Sequence, residues 1–342
     1  MASTEATANR DPAVVLEVDA DFEGDSAVGD VESQLLAFSQ SLTSSVTAYP
    51  VEHGRRYHAY KDGDYFMPND EDEQDRLDLF HNMLGLVLEG DLFLSPIKKE
   101  RLEKGRVLDV GTGTGIWAVE MGDKYPDAEI LGNDLSPVQP SWVPPNVKFE
   151  VDDAESPWTH ARPFDLVFCR YLDGAISDWA ALVRNAYSKT SPGGWTEFHA
   201  FDTHFRSDDG TLKPEAFMNQ FVENLKKGCQ VMGKELVPGP RLEGWFKDAG
   251  FQNIAVKTYK VPLGPWAKDE RLKKIGMFNL LQAVEGIEAF TMRVFTKCLG
   301  WTPEDVQAFD AKVVADFKSK STHSYFTFYV VYGQKPESSE SS

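Results

Sequence analysis

The order of apolar and polar positions predicts alternating strands and helices in the middle of the chain. Five short segments containing apolar residues have the length of strands, and a helical stretch at 116–124 separates the first two. Strands joined through helices form parallel sheets with helices on both faces, so we predict an α/β core. The five runs are 106–110, 129–134, 147–151, 164–169 and 195–199.

Helical periodicity also marks the regions on either side of this core. Residues 72–89 place apolar side chains three and four positions apart, which predicts one apolar helix face, and a shorter helix is expected at 33–38. The segment 262–318 is predicted to be largely helical. It separates two further predicted strands, 251–259 and 325–332, which we expect to pair antiparallel at the edge of the sheet.

Composition narrows the classes of partner. The 342 residues include 35 Lys and Arg against 54 Asp and Glu, so the net charge is 35 − 54 = −19. A charge of this sign repels polyphosphate at long range, which argues against a nucleic-acid substrate. No stretch has the 18 to 20 uninterrupted apolar residues of a membrane span, so no membrane association is expected.

The N-terminus and the cysteines indicate an intracellular protein. Residues 1–30 are acidic and lack the basic start and apolar run of a signal peptide, and we expect them to be disordered. Cys169, Cys229 and Cys298 form no CxxC pair, so neither a disulfide framework nor a metal site is predicted. Cytoplasmic and nuclear locations both remain open.

The strongest chemical signal is a glycine turn between the first predicted core strand and the helix that follows it. Gly111, Gly113 and Gly115 alternate with Thr112 and Thr114. Glycine permits a tight turn and close approach of the backbone to a ligand, while the helix N-terminus offers unpaired N–H groups. A dinucleotide-binding turn needs its third glycine where Ile116 stands, and no P-loop motif is present.

With Asp109 before it, this turn resembles the first motif of class I S-adenosylmethionine-dependent methyltransferases. That resemblance implies a Rossmann-like, mostly parallel sheet of seven strands and S-adenosyl-L-methionine as cofactor. Asp134, followed by Leu135, ends the second strand where a carboxylate binds both ribose hydroxyls. The family pattern assigns the adenine to Asp153 with Ala154, and Asp152 is the second choice.

Flanking segments extend the resemblance to the LaeA-like fungal methyltransferases, from about residue 46 to 336. These segments are 54–60, 65–71, 75–77, 134–140, 323–325 and 329–333. The family includes regulators of secondary metabolism that bind velvet-domain proteins and enzymes that methylate small natural products, so both kinds of partner remain possible. Its pattern implies an N-terminal lid over the cofactor. The predicted lid contacts are Tyr57, Tyr65, Arg76 and His81.

Methyl transfer requires an aligned acceptor and the exclusion of water. If the acceptor is a hydroxyl, a base that takes its proton accelerates the reaction, and His199 and His204 are candidates for that base. Arg170, after the fourth core strand, is predicted to lie where the sulfonium and the acceptor meet. The aromatic-rich insertion is a candidate roof for a hydrophobic small-molecule acceptor.

These patterns together predict six segments. A disordered tail (1–30) precedes the helical lid (31–104), and the cofactor-binding core follows (105–260). A helical insertion (261–318) caps the acceptor, the final strand belongs to 319–336, and 337–342 form a second disordered tail.

Overall fold

The computed structural model describes residues 16–17, 49–58 and 65–337. Most of the predicted tail 1–30, the predicted helix 33–38 and residues 338–342 therefore lie outside the described residues. The described chain divides into two compact units. The core unit comprises 91–202, 233–257 and 328–337, and the helical unit comprises the described residues up to 90 with 203–232 and 258–327. The segment boundaries predicted from the sequence remain predictions.

A seven-stranded sheet is the central element of the fold, in the order β5-β4-β3-β6-β7-β9-β8. Its strands are β3 (Arg106–Val110), β4 (Glu129–Asp134), β5 (Val147–Val151), β6 (Phe164–Arg170), β7 (Thr190–Arg206), β8 (Gln252–Pro262) and β9 (Tyr325–Gln334). The pairs from β5 through to β7 are parallel. A separate hairpin joins β1 (Val51–Glu52) and β2 (Arg55–Arg56).

The last strands pair antiparallel at the edge of the sheet, as predicted. Lys335 exchanges backbone hydrogen bonds with Gly193 and Gly194 at one end of β9, and Arg206 bonds Thr327 near the other. Residue numbers therefore run in opposite directions along β7 and β9. The same holds for β8 and β9, where Asn253 bonds Gln334 and Leu263 bonds Ser324.

Helices cover both faces of the sheet in the core unit. The helices of this unit are α2 (Lys99–Glu103), α3 (Ile116–Lys124), α4 (Trp179–Lys189) and α6 (Leu242–Ala249). Along β6, Leu166 and Phe168 pack with α3 on one face, whereas Val167 and Cys169 pack with α4 and α6 on the other. Since both faces are buried, every position of such a strand favours an apolar residue, which explains the uninterrupted runs in the sequence.

The helical unit contains α1 (Glu71–Val87), α5 (Phe217–Val231), α7 (Glu270–Glu285), α8 (Ile287–Leu299) and α9 (Pro303–Phe317). Helix α1 packs on α7, and α8 packs between α5 and α9. Helix α1 begins where the Asp70 side chain accepts a hydrogen bond from the backbone of Glu73. It ends two residues before the predicted Glu89, because Glu89 and Gly90 have positive φ angles of 59° and 88°.

One predicted strand is much longer than the sequence suggested: β7 spans seventeen residues instead of the predicted five. Outside the predicted run, the strand includes Pro192, Gly193, Gly194 and Asp202, which interrupt the apolar pattern from which its length was predicted. None of the helices in the described part of the chain has the length and apolar character needed to cross a membrane.

Candidate cofactor site

The site lies at the carboxyl edge of the sheet in the core unit. Strands β3 and β6 are neighbours in the sheet. After β3 the chain forms β4 and β5 on one side of this pair, and after β6 it forms β7 on the other side. Val110 pairs with Asn133 of β4 and with Cys169 of β6, so the loops after these three strands meet at one edge. A reversal of strand order opens a crevice at this edge, where α/β proteins bind their ligands.

Two glycines of the turn are required by close packing as well as by conformation. Gly111, Gly113 and Gly115 have φ angles of 67°, 58° and 82°, in the left-handed region that favours glycine. A Cβ atom on Gly111 would lie 2.5 Å from Leu172, and one on Gly115 would lie 2.5 Å from Phe149. The side chains of Leu172 and Phe149 therefore pack against the turn and leave no room for a side chain at these two positions.

Asp134 is held against the turn by two backbone amides. The Gly113 N–H donates to its Oδ2 at 2.9 Å, and the Ser136 N–H donates to Oδ1 at 3.1 Å. A carboxylate oxygen accepts about two hydrogen bonds, so each oxygen keeps a lone pair for a ribose hydroxyl. Leu135, the other residue predicted here, is half-buried beside it.

A second acidic residue, Asp109, lies beneath the turn beside a basic residue. Asp109 is 3% exposed and accepts a hydrogen bond of 2.5 Å from the Thr112 hydroxyl. Burial raises the pKa of Asp109 to about 6, although the Thr112 bond and the charge of Arg170 oppose the shift. Burial also lowers the pKa of Arg170 to about 10, so Arg170 stays cationic at pH 7. One acidic and one basic side chain therefore lie beside each other next to the turn.

The acidic loop after β5 is connected to β4 through its backbone. The Asp152 N–H donates to the Asp134 carbonyl at 3.0 Å. Asp153 is buried, and its two carboxylate oxygens accept from the Glu155 N–H and the Ser156 hydroxyl. The Ala154 carbonyl accepts from the Trp158 indole. Asp153 therefore also shapes its own loop, and the adenine contacts assigned to these residues remain predictions.

Sequence reasoning missed Gln139, which holds the glycine turn from the opposite side. Its Nε2 donates to the carbonyls of Gly113 at 2.7 Å and Ser136 at 3.0 Å. One side chain therefore connects the turn to the loop after β4. The signal was the Ser136-to-Pro140 segment, which was noted only for its family resemblance, because a glutamine in a loop has no chemical signature by itself.

His199 is paired with Glu197, whose function the sequence did not indicate. Both side chains are fully buried, and His199 Nε2 lies 2.7 Å from Glu197 Oε1. The same carboxylate accepts hydrogen bonds from the backbone N–H groups of Leu94 and Ser95. In the tautomer in which Nε2 donates to this carboxylate, Nδ1 carries the lone pair.

The other ring nitrogen of His199, Nδ1, has the lone pair that a base requires, but it is buried. Nδ1 has no hydrogen-bond partner among the described residues. The ring lies 4.8 Å from the ring centroid of Phe168 and 5.3 Å from that of Phe328. Burial lowers the pKa of His199, so the ring is neutral at pH 7. The basic role of His199 remains a prediction.

Five residues predicted as lid contacts or as a base lie in the helical unit. Arg76 is 2% exposed, forms two hydrogen bonds to Glu73 and donates to Gln282 of α7. The ring of Tyr57 lies 4.3 Å from the Arg293 guanidinium, and the carbonyl of Tyr65 accepts from the same group.

The remaining two predicted residues of this unit are histidines. His81 is buried on α1, and His204 Nε2 lies 3.7 Å from Glu223 Oε1 at a partly exposed position. The structure does not test the lid and catalytic roles predicted for these five residues. In the described ranges, no cluster of three or more His, Cys, Asp or Glu side chains is arranged to hold a metal ion.

Replacing Asp134 by alanine is expected to weaken binding of S-adenosylhomocysteine by about 1–3 kcal/mol, the usual range for loss of a charged hydrogen-bond partner. Titration calorimetry measures the change, and Asp127→Ala, which alters an exposed aspartate of the same unit, is the matched control. Equal affinity for Asp134→Ala and wild type would remove the ribose assignment.

Comparison with known proteins agrees with this geometry. A family model described as a methyltransferase domain matches residues 79–256. The chain is 46% identical over 298 residues to methyltransferase pytC of Aspergillus terreus, covering 86% of this chain and 91% of the relative. It is 34% identical over 264 residues to the probable methyltransferase tdiE of Emericella nidulans, covering 77% and 82%. Identity to the secondary metabolism regulator LAE1 of Cochliobolus heterostrophus is 34% over 294 residues, covering 84% and 95%.

Proposed function

This chain belongs to the LaeA-like S-adenosylmethionine-dependent methyltransferases, and from that premise we propose that its methyl acceptor is a small molecule of fungal secondary metabolism. The observation that carries the proposal is the similarity to pytC, which spans nearly the whole length of both proteins and covers both compact units. The name of LAE1 supports the setting in secondary metabolism.

The residues at the carboxyl edge fit the cofactor. Two glycines exclude side chains from the turn, and Asp134 retains acceptor capacity on both oxygens. The buried Asn133 Nδ2 has no hydrogen-bond partner among the residues described, so a polar donor remains for a ligand. S-adenosylmethionine, when bound, supplies an electrophilic methyl group.

The residues of the chain bind and orient the reactants in this proposal. Asp134 and Leu135 hold the ribose, Asp109 supports the glycine turn from below, and Arg170 lies where the sulfonium and the acceptor meet. Asp152, Asp153 and Ala154 contact the adenine. Charges and dipoles that are already in place when the reactants bind need no reorganisation during the reaction, which lowers the barrier to in-line transfer. No covalent intermediate with the protein is required.

The predicted lid contacts and bases complete the proposal. Tyr57, Tyr65, Arg76 and His81 exclude water from the cofactor in this view, and His199 or His204 takes a proton from the acceptor. For His199, the unpartnered Nδ1 supports this assignment. For Arg76, the paired guanidinium equally supports a purely structural role within the helical unit.

A second candidate function is regulatory, and the similarity to LAE1 favours it. In this alternative the protein binds S-adenosylmethionine but acts by docking velvet-type transcriptional partners, in the nucleus instead of the cytoplasm. Capture of velvet-domain proteins from a fungal extract, without turnover of any metabolite, would support this alternative over the small-molecule methyltransferase.

Titration calorimetry with S-adenosylhomocysteine, and with NAD as the control ligand, tests the cofactor site. Micromolar binding of the first and no binding of the second are expected. Transfer of a labelled methyl group into an organic extract of a fungal culture then tests the acceptor class. Binding without any labelled small molecule would favour the regulatory function, and NAD binding would refute the assignment of the glycine turn.

A further inference from the structure

The half-buried Asp173, in the loop after β6, has no function in the site described above. Asp173 Oδ1 accepts a hydrogen bond of 2.8 Å from the backbone N–H of Phe201 on β7. Asp173 Oδ2 is buried and lacks a hydrogen-bond partner among residues 16–17, 49–58 and 65–337. Nearly all buried polar atoms in native proteins are hydrogen-bonded, so an unpaired carboxylate oxygen requires a functional explanation.

The position of Asp173 places this oxygen beside the cofactor turn. Leu172, its neighbour, packs directly on Gly111. The Tyr171 N–H donates to the carbonyl of His199, and Tyr171 itself has a φ angle of 61°, which is rare for a tyrosine. The loop 171–173 therefore lies between the glycine turn and β7. Strained backbone of this kind is concentrated at functional sites.

We propose that Asp173 is a catalytic base that takes the proton of a hydroxyl acceptor during methyl transfer. The inference rests on the proposed function. The acceptor oxygen forms a bond to the methyl carbon as the sulfur–carbon bond breaks, and the electron pair of that bond remains on sulfur. The hydroxyl proton passes to Asp173 Oδ2 and is later released to solvent. The acceptor class is an alcohol or phenol.

The surroundings of Asp173 suit a base that works near neutral pH. Burial raises the pKa of Asp173 to about 8, against the opposing hydrogen bond from Phe201 on β7. Two ionisable groups at the end of β6 precede this loop: the cationic Arg170, and the Cys169 thiol, whose pKa is raised by burial and by the charges of Asp109 and Asp173. Cys169 therefore stays neutral. The ring of Phe201, whose backbone N–H donates to Asp173, lies 5.7 Å from that of Tyr171 in an edge-to-face contact.

Asp173→Asn is the decisive variant, because an amide oxygen still accepts from Phe201 but cannot take a proton at neutral pH. The probes are 2-naphthol and 2-naphthalenethiol, which share a shape but differ in acidity. For wild type, kcat/KM on the naphthol is expected to rise with pH and level off near 8, because the base acts only when ionised. In the Asp173→Asn variant, kcat/KM on the naphthol should fall about 10²- to 10⁴-fold and should no longer rise with pH.

The thiol is the internal control, because it ionises without help and needs no base. In the Asp173→Asn variant, kcat/KM on the thiol should fall less than about threefold. The exposed-site variant Asp127→Asn should have the wild-type kcat/KM on both probes. Equal losses on both probes would show a structural role and overturn the proposal. If kcat/KM no longer rises with pH in His199→Asn but still rises in Asp173→Asn, the base is His199 and not Asp173.

Binding of S-adenosylhomocysteine separates the two hypotheses. One contrary result is a wild-type protein that binds S-adenosylhomocysteine but methylates only the thiol, and another is one that binds it but methylates neither probe. Either result contradicts the hydroxyl acceptor class that Asp173 implies. A protein that does not bind S-adenosylhomocysteine contradicts the proposed function itself.

Discussion

Replacing Gly113 by aspartate is expected to abolish binding of S-adenosylhomocysteine, with a loss of at least about 100-fold, or about 2.8 kcal/mol. The backbone of Gly113 donates to Asp134 and accepts from Gln139, so its Cα lies at the centre of the site. A carboxylate at this position brings bulk to the ligand surface and a like charge close to Asp134. Titration calorimetry measures the loss.

The fold should survive this substitution, which makes the result interpretable. Gly113 has a φ angle of 58°, and aspartate and asparagine tolerate this left-handed region better than most residues. Gly113→Asn is therefore the matched control, since it has the same size without the charge. Its smaller loss of affinity would measure the contribution of charge, whereas wild-type affinity in Gly113→Asp would show that the turn does not contact the ligand.

Replacing Glu197 by alanine is expected to lower the free energy of unfolding by about 3–5 kcal/mol, because several buried hydrogen-bond donors lose their acceptor. The carboxylate is fully buried and accepts from Leu94, Ser95 and His199. Its removal leaves these donors without an acceptor and creates a cavity behind the loop 92–95. Urea denaturation followed by circular dichroism measures the change.

Glu129→Ala provides the comparison for the same residue type at the surface of the core unit. Glu129 pairs with Arg106 and Arg162 and is 44% exposed, so the expected loss is at most about 1 kcal/mol. If the two alanine variants are equally stable, the hydrogen bonds to Glu197 only compensate for the cost of burying its charge.

Local pattern was sufficient for most of the α/β core. Strands β3, β4 and β5 have their predicted bounds, and so does α3. Both faces of β3 and β4 are covered, so the interior positions of these two strands are mostly apolar and the run itself marks the strand. The glycine turn and Asp134 were predictable for a similar reason, because their conformational and hydrogen-bonding requirements allow few residue types.

Tertiary structure alone decided the functions of polar residues whose partners are distant in sequence. Asp173 acquires its character from Phe201, and Glu197 acquires its function from Leu94 and Ser95, about a hundred positions earlier. Single-sequence periodicity reports local burial but contains no information about which distant backbone groups meet a carboxylate. The sequence by itself therefore determined the sheet, the turn and the cofactor class, whereas the fold decided which acidic residues are ionised, paired or available for chemistry.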